Sequence, residues 1–200
     1  MSIDLPFTVH HVETCGSSNE DIKLLAKENP NTPILFITDE QTKGKGQREN
    51  SWLSPKNAGW YFSLYVPNIS ISISEIQRIN WVVSIQLIKY LTHLGVMTPK
   101  VKWPNDIYTE NGKLGGVLVE NQVNNQTIKS TIIGIGLNVN DLKISSNWKG
   151  TTALEKELTD TKVLPEFNTD IQDRFTKAIN YYKEKTSSNI IESCKNLTFT

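Results

Sequence analysis

The chain has 200 residues, 38% of them hydrophobic, with 21 basic and 21 acidic side chains and a formal net charge of zero. That length suits one domain, and the charge balance argues against a general nucleic-acid binder, which is basic overall. Cys15 and Cys194 make no disulfide framework, Met1 to Pro6 is short and acidic, unlike a signal peptide, and no apolar run reaches the ~20 residues of a membrane helix. A reducing, cytoplasmic setting is the expectation.

In chain order, Phe7 to Val12 reads as a strand, broken by Gly16-Ser17-Ser18-Asn19. Ser18 with Asp21 has the spacing of a capping box and predicts a helix to about Glu28. Ile34 to Thr38 is a short apolar strand that runs into a glycine-punctuated basic loop. Trp60 to Val66 alternates, with Trp60, Phe62, Leu64 and Val66 on one face and Tyr61, Ser63 and Tyr65 on the other. Ser74-Glu75-Ile76-Gln77 is a second capping box. The helix it opens carries a core stripe of Ile76, Ile79, Val83, Leu87 and Leu94 and stops at Gly95. Lys100 to Trp103 is a strand ended by Pro104, and Gly116 to Gln122 and Thr127 to Leu137 flank a hairpin signal, Val123-Asn124-Asn125-Gln126. Pro165 begins a further amphipathic helix, with Phe167, Ile171, Phe175, Ile179 and Tyr182 at helical spacing. Strands joined through hairpins, with few helices, give an α+β class: a mixed, largely antiparallel sheet with helices packed on a face. The expected layout is one domain over 1–185 and a short C-terminal tail over 186–200.

Four strings bear chemistry. In Glu40-Gln41-Thr42-Lys43-Gly44-Lys45-Gly46-Gln47-Arg48, the glycines let backbone N–H groups turn inward while Lys43, Lys45 and Arg48 add charge. That suits a phosphate or carboxylate; a solvated surface loop is the alternative. The Gly-Lys-Ser/Thr ending of a P-loop is missing. Trp52, just beyond, offers a wall or stacking face to a flat ring such as adenine. In Lys102-Trp103-Pro104-Asn105-Asp106, the proline fixes a turn at a strand end and aims Asn105 and Asp106 at one point. Asx side chains there also serve a turn's own amides, and Trp103 reads as core. Lys113 stands at the mouth of a strand before Gly115-Gly116, where paired glycines signal close backbone approach; a surface lysine in a tight turn is the alternative. Gly134-Ile135-Gly136-Leu137-Asn138-Val139 lacks the third glycine and the following helix of a dinucleotide fingerprint, so its glycines read as sheet positions beside a ligand. Ser17, Ser18 and Asn19 are either a helix cap or a row of hydroxyls and an amide facing a ligand. His10, His11 and His93 lack metal-ligand spacing, and no metal-binding residues are expected.

Together these residues resemble the biotin–protein ligase family (biotin–[acetyl-CoA-carboxylase] ligase) from about Val12 to Leu154. The resemblance rests on Ser17-Ser18-Asn19, on Glu40-Gln41-Thr42 with the basic loop and Trp52, on Lys102 to Asp106, on Lys113 to Glu120 and on Gly134 to Val139, with Thr151-Thr152-Ala153-Leu154 as a weaker echo. It implies a class II aminoacyl-tRNA synthetase/biotin ligase-like fold. It also implies an enzyme that joins the biotin carboxylate to the α-phosphate of ATP, with Mg²⁺, and passes biotin from biotinyl-5′-AMP to a lysine of a biotin carboxyl carrier protein. By the same resemblance, Lys113, Asp106 and Arg48 are the catalytic residues. Ser17, Ser18, Asn19, Gln41, Gly44, Lys45, Gly116 and Gly134 would hold biotin; Lys45, Arg48, Trp52, Asn105, Lys113 and Asn138 would serve the nucleotide. The acceptor lysine, with a reference pKa of ~10.4, is protonated at neutral pH, so Asp106 would orient it or help deprotonate it.

The family's loop usually reads Gly-Arg-Gly-Arg-Arg-Gly-Arg, whereas Gly44-Lys45-Gly46-Gln47-Arg48-Glu49-Asn50 has lost positive charge at two positions and gained Glu49. Weaker closure over the adenylate is the expectation, from a loop mobile without ligand and ordered with it. Neither the small C-terminal β domain nor the winged helix of some members fits in the chain, so DNA binding is not expected, nor is a membrane partner; a monomer or weak homodimer is. A lipoate or octanoate ligase of related fold is the competing enzyme, disfavoured by the Trp-Pro-Asn-Asp string. A non-catalytic biotin-binding relative is disfavoured by Lys113 and Asp106.

Overall fold

The structure, a computed structural model, describes residues 7–140 and 150–158 together with Arg174 and Thr176. In chain order the elements are β1 (Thr8–Cys15), α1 (Ser18–Glu28), β2 (Ile34–Gln41), β3 (Gly59–Val66), β4 (Ile71–Ser72), α2 (Ile76–His93), β5 (Lys100–Lys102), β6 (Asp106–Thr109), β7 (Gly112–Asn124), β8 (Thr127–Asn138) and the single turn α3 (Leu154–Glu157). The strands form one sheet in the order β1-β2-β3-β8-β7-β6-β5, with β4 pairing β8 beside that path. β1 and β2 run parallel, because α1 carries the chain back between them. Every other pair is antiparallel. The expected α+β class, a mixed and largely antiparallel sheet, is the one the chain adopts.

The two long helices take opposite faces of that sheet. Leu35 and Ile37 of β2 pack into a core with Phe62, Leu64 and the α2 residues Ile79, Val83 and Leu87. The alternate β2 residues Ile34 and Phe36 meet Ile22 and Ala26 of α1, with Tyr65 and Ile132. Because successive strand side chains point to opposite faces, β3 is buried on both: Tyr61 and Ser63 are as inaccessible as Phe62 and Leu64. α2 is buried over more than the expected stripe, adding Val82, Ile85, Ile88, Tyr90 and Leu91. Its stop is as expected. Gly95 sits at φ +99°, and the Gly95 and Val96 amides donate to the Thr92 and Leu91 carbonyls at 3.0 Å, the paired closure that a left-handed glycine permits.

Several local expectations are corrected. Ser17, not Ser18, is the N-cap of α1, and no side chain caps it. The second capping box does not form either. A 3₁₀ turn over Ile73–Glu75 precedes α2, and Ser72 caps it by accepting from the Ser74 amide. Trp103 is not core: it is half exposed and lies edge-on to Trp81. β7 begins at Gly112, so Lys113 lies inside the strand rather than before it, and β6 is an element with too few residues to show a period. The helix expected from Pro165, and the tail after Lys185, lie outside the described residues. No helix among the described residues is long and apolar enough to cross a membrane.

Candidate active site

Glycines gather on the α1 side of β3, β8 and β7. Strand pairing sets Gly134 opposite Ser63 and Gly136 opposite both Tyr61 and Gly116. Their neighbours Ile133, Ile135, Leu137 and Val117 point into the α2 core, which turns the glycines toward α1. The missing side chains leave a cavity of about 170 Å³, lined among others by Ser17, Ser18, Asn19, Gln41, Lys45, Trp52, Asn105, Asp106, Lys113, Gly116 and Gly134. Eleven of the residues singled out in sequence thus converge on one space. Gly44, Arg48 and Asn138 do not line it.

The protein's own side chains approach two of these glycines. A Cβ on Gly134 would overlap Asn19 Oδ1, and one on Gly136 would stand 2.5 Å from Nε1 and Cε2 of Trp52. The indole therefore lies across the floor. Its Nε1 is buried with no hydrogen-bond partner among the described residues. Gly44 is needed for the same reason from below, since a Cβ there would strike the Trp52 carbonyl.

One end of the cavity is polar and buried. The Ser18 amide, a free donor of the first turn of α1, donates to Gln41 Oε1 at 2.8 Å, and Gln41 Nε2 donates to Ser54 Oγ at 2.8 Å. Ser63, with one hydroxyl proton, donates to Ser18 Oγ (2.7 Å) or to Asn19 Oδ1 (2.6 Å). Asn19 Nδ2 donates to Glu120 Oε2 at 2.8 Å. Ser17, Ser18 and Asn19 are at least 95% buried, and no side chain among them caps α1.

The other end is charged. The β6–β7 hairpin pairs Asp106 with Gly116 and Tyr108 with Lys113, with a register shift between, and brings Lys113 Nζ to 2.8 Å from Asp106 Oδ1. Lys113 Nζ also stands over the Trp52 ring, 5.1 Å from its centroid. The Lys113 backbone is fixed by 150–152: its amide donates to the Gly150 carbonyl and its carbonyl accepts from the Thr152 amide, both at 2.9 Å. Asn138 braces this seam, donating to the Lys113 carbonyl (3.3 Å) and the Thr152 carbonyl (3.1 Å).

The basic loop folds on itself. The Gly46 amide donates to Asn50 and the Trp52 amide to Gly44, with Lys45 bridging Ser51 between them. Arg48 is at the tip, exposed, with φ +58°. Lys45 pairs with Glu20 at 2.6 Å, and Lys23 pairs with both Glu20 (2.8 Å) and Glu120 (2.7 Å). Lys23 and then Lys45 hold the Glu20 carboxyl below its ordinary range. Burial would lower the Lys23 ammonium, but Glu120 and Glu20 outweigh it and hold it above its ordinary value. Sequence reasoning gave no role to Glu20, Lys23, Ser63 or Glu120. Only the Glu20–Lys23 pair, three apart on a helix, was legible; the other contacts cross the sheet.

A model described as the Biotin/lipoate A/B protein ligase family matches residues 14–138. The bifunctional ligase/repressor BirA of Bacillus subtilis is 28% identical over 132 residues, which is 66% of this chain and 40% of that protein. BirA of Escherichia coli is 33% identical over 108 residues, 52% of this chain and 32% of its own length. The chain thus spans less than half the length of these curated relatives. Among solved structures, the biotin protein ligase of Aquifex aeolicus in complex with biotin and ATP superposes with a TM-score of 0.73 at 24% identity, covering 96% of this chain and 78% of that one. The Leishmania major ligase in complex with biotinyl-5-AMP does so with 0.72 at 19%, covering 97% and 82%. At these identities the likeness is one of fold.

Proposed function

Because the chain belongs to the Biotin/lipoate A/B protein ligase family, we propose that it activates biotin with ATP and transfers it to a lysine of a biotin carboxyl carrier protein, in a cytoplasmic setting. The observation that carries this reading is the Lys113–Asp106 pair at one end of a glycine-floored cavity whose other end is the buried Ser18 and Asn19 with the half-buried Gln41. In the first step the biotin carboxylate oxygen bonds to the α-phosphorus and the bond to pyrophosphate breaks. Two anions must meet, so a cation has to offset their repulsion. Lys113 is the cation at hand, and leaves Asp106 to do so. In the second step the acceptor nitrogen bonds to the biotin carbonyl carbon and AMP departs with the bonding electrons. Asp106, released from Lys113, is then free to hold the incoming ammonium or take its proton.

The remaining residues divide by place. Ser17, Ser18, Asn19, Gln41 and the backbone at Gly116 and Gly134 would hold the ureido ring and chain of biotin. Trp52 and Asn105 would serve the adenylate, with Asn138 acting through the Lys113 strand and Gly44 through Trp52. Arg48 reaches a ligand only if the loop moves, since it is exposed at the tip, whereas Lys45 lines the cavity and has only to leave Glu20. Among the described residues no group of three or more His, Cys, Asp or Glu side chains fits a metal ion. Mg²⁺ would therefore arrive on the phosphates of ATP, its ordinary carrier. Pyrophosphate exchange into ATP tests the proposal, run with biotin, lipoate or octanoate. Exchange with biotin alone is expected. Exchange with lipoate or octanoate instead would reassign the acyl group, and exchange with none would leave a biotin-binding relative without catalysis.

A further inference from the structure

Glu120 lies outside the cavity, yet it touches Asn19, a buried amide that lines it. Asn19 is buried and has two faces, an N–H₂ donor and a carbonyl acceptor, that an unconstrained side chain presents equally well. A carboxylate only accepts. With Glu120 Oε2 at 2.8 Å, the donor face of Asn19 must turn toward Glu120. Asn19 Oδ1 then faces Ser63 and the floor at Gly134. Lys23 Nζ, 2.7 Å from Glu120 Oε1, occupies the other oxygen and ties the carboxylate to α1.

We propose that Glu120, held by Lys23, is a positioning residue that fixes Asn19 as a hydrogen-bond acceptor in the cavity and so selects ligands whose ring offers an N–H donor. The proposal rests on the biotin reading, because the ureido ring of biotin carries two N–H donors while the dithiolane of lipoate and the chain of octanoate carry none. Glu120 touches no substrate; it acts through Asn19.

Glu120→Gln separates this role from a structural one. The new amide keeps its shape but meets the Lys23 ammonium, which only donates, so its oxygen turns to Lys23 and its N–H₂ to Asn19. Asn19 must then rotate and present N–H₂ to the cavity, donor against donor. Biotin affinity, measured by calorimetry on the full chain, is expected to fall about tenfold or more, as for a lost hydrogen bond that leaves a buried group unmatched. ATP affinity, and turnover at saturating biotin, should stay within about twofold. Adding Lys23→Met removes the ammonium that forces the rotation. In K23M/E120Q the new amide can offer its oxygen to Asn19 again, and biotin affinity should return to within about threefold of wild type. A purely structural Glu120 would not be rescued by losing a second partner. The inference is overturned if E120Q binds biotin like wild type, if it loses biotin and ATP affinity together, if it fails to fold, or if K23M/E120Q is no better than E120Q. A wild-type chain that binds no biotin overturns the functional proposal, and this inference with it.

Discussion

At the residue scale, Lys113 and Asp106 neutralise each other at 2.8 Å and are equally half-buried. Each therefore has to be released before it can act on a ligand, which makes their single substitutions asymmetric. Lys113→Ala removes the cation nearest the reacting anions and strands Asp106. Biotin-dependent pyrophosphate exchange should fall by about 10² to 10³, the usual loss for one preorganised charge-stabilising donor, while the thermal melt remains cooperative. Near wild-type exchange would remove Lys113 from the chemistry. Asp106→Asn instead frees Lys113 and deprives only the acceptor ammonium of its carboxylate. Single-turnover experiments should show adenylate formed and accumulating, with transfer to the carrier slowed more than formation. Equal loss in both steps would place Asp106 in shaping the pocket.

At the element scale, the loop between β2 and β3 is the part whose sequence departs most from the family's pattern, and its geometry says which departure matters. Gln47 lines the cavity. Asn50 lines it too, although exposed, whereas Glu49 is exposed away from it and Arg48 is carried outward at the tip. Gln47→Arg should therefore slow release of biotinyl-AMP, measured by chase with unlabelled biotin and ATP, because the new charge faces the adenylate. Arginine at Glu49 should do less. An unchanged release rate in Q47R would mean that the loop does not retain the intermediate. The same loop shows what a sequence can reveal. Glycines and basic residues at fixed spacing were visible, and so was a tryptophan wall, because backbone freedom and charge are properties of residues one at a time. That Lys45 is paired to Glu20 was not, since the contact depends on where α1 crosses β2. The capping boxes failed for a related reason: Ser18 is hydrogen-bonded to Ser63 of β3, and Ser74 lies inside the turn that Ser72 caps.

At the scale of the whole molecule, Glu20, Lys23, Glu120 and Lys45 form a chain of ion pairs from β7 across α1 to the basic loop. Glu20 has its carboxyl pKa lowered, by Lys23 first and Lys45 second, from an ordinary value near 4.5. Its contribution to stability is therefore full above that value and is lost as pH falls through the lowered one. Lys23, raised from near 10.5, loses its share only as pH rises beyond that value. Because Glu20 is well solvated, the effect is held to at most about 1 kcal/mol. Thermal melts of wild type and Glu20→Gln should differ near neutrality, converge below pH 4.5, and differ less at high salt; a constant gap at all pH values would assign the loss to packing. The fold itself was legible as a class because strand period, hairpin turns and one amphipathic helix are local signals. Placement of the helices on opposite faces was not, as it depends on β2 and β3 being apolar on both sides. Finally, the β7–β8 hairpin has a consequence for the order of folding. It closes through Asn125 and Gln126, at φ +47° and +62°, and pairs Asn124 with Thr127, so its contacts are near in sequence. β1 and β2 can pair only after α1 has formed between them. Short-range pairing has the smaller loop entropy to overcome, which marks the hairpin as an early structure. Glutamine is a poor occupant of a left-handed position, so Gln126→Gly should stabilise the protein by about 0.5–1 kcal/mol. In stopped-flow refolding most of that gain should appear as faster folding, with unfolding little changed; a gain seen only in slower unfolding would mean that the hairpin closes late.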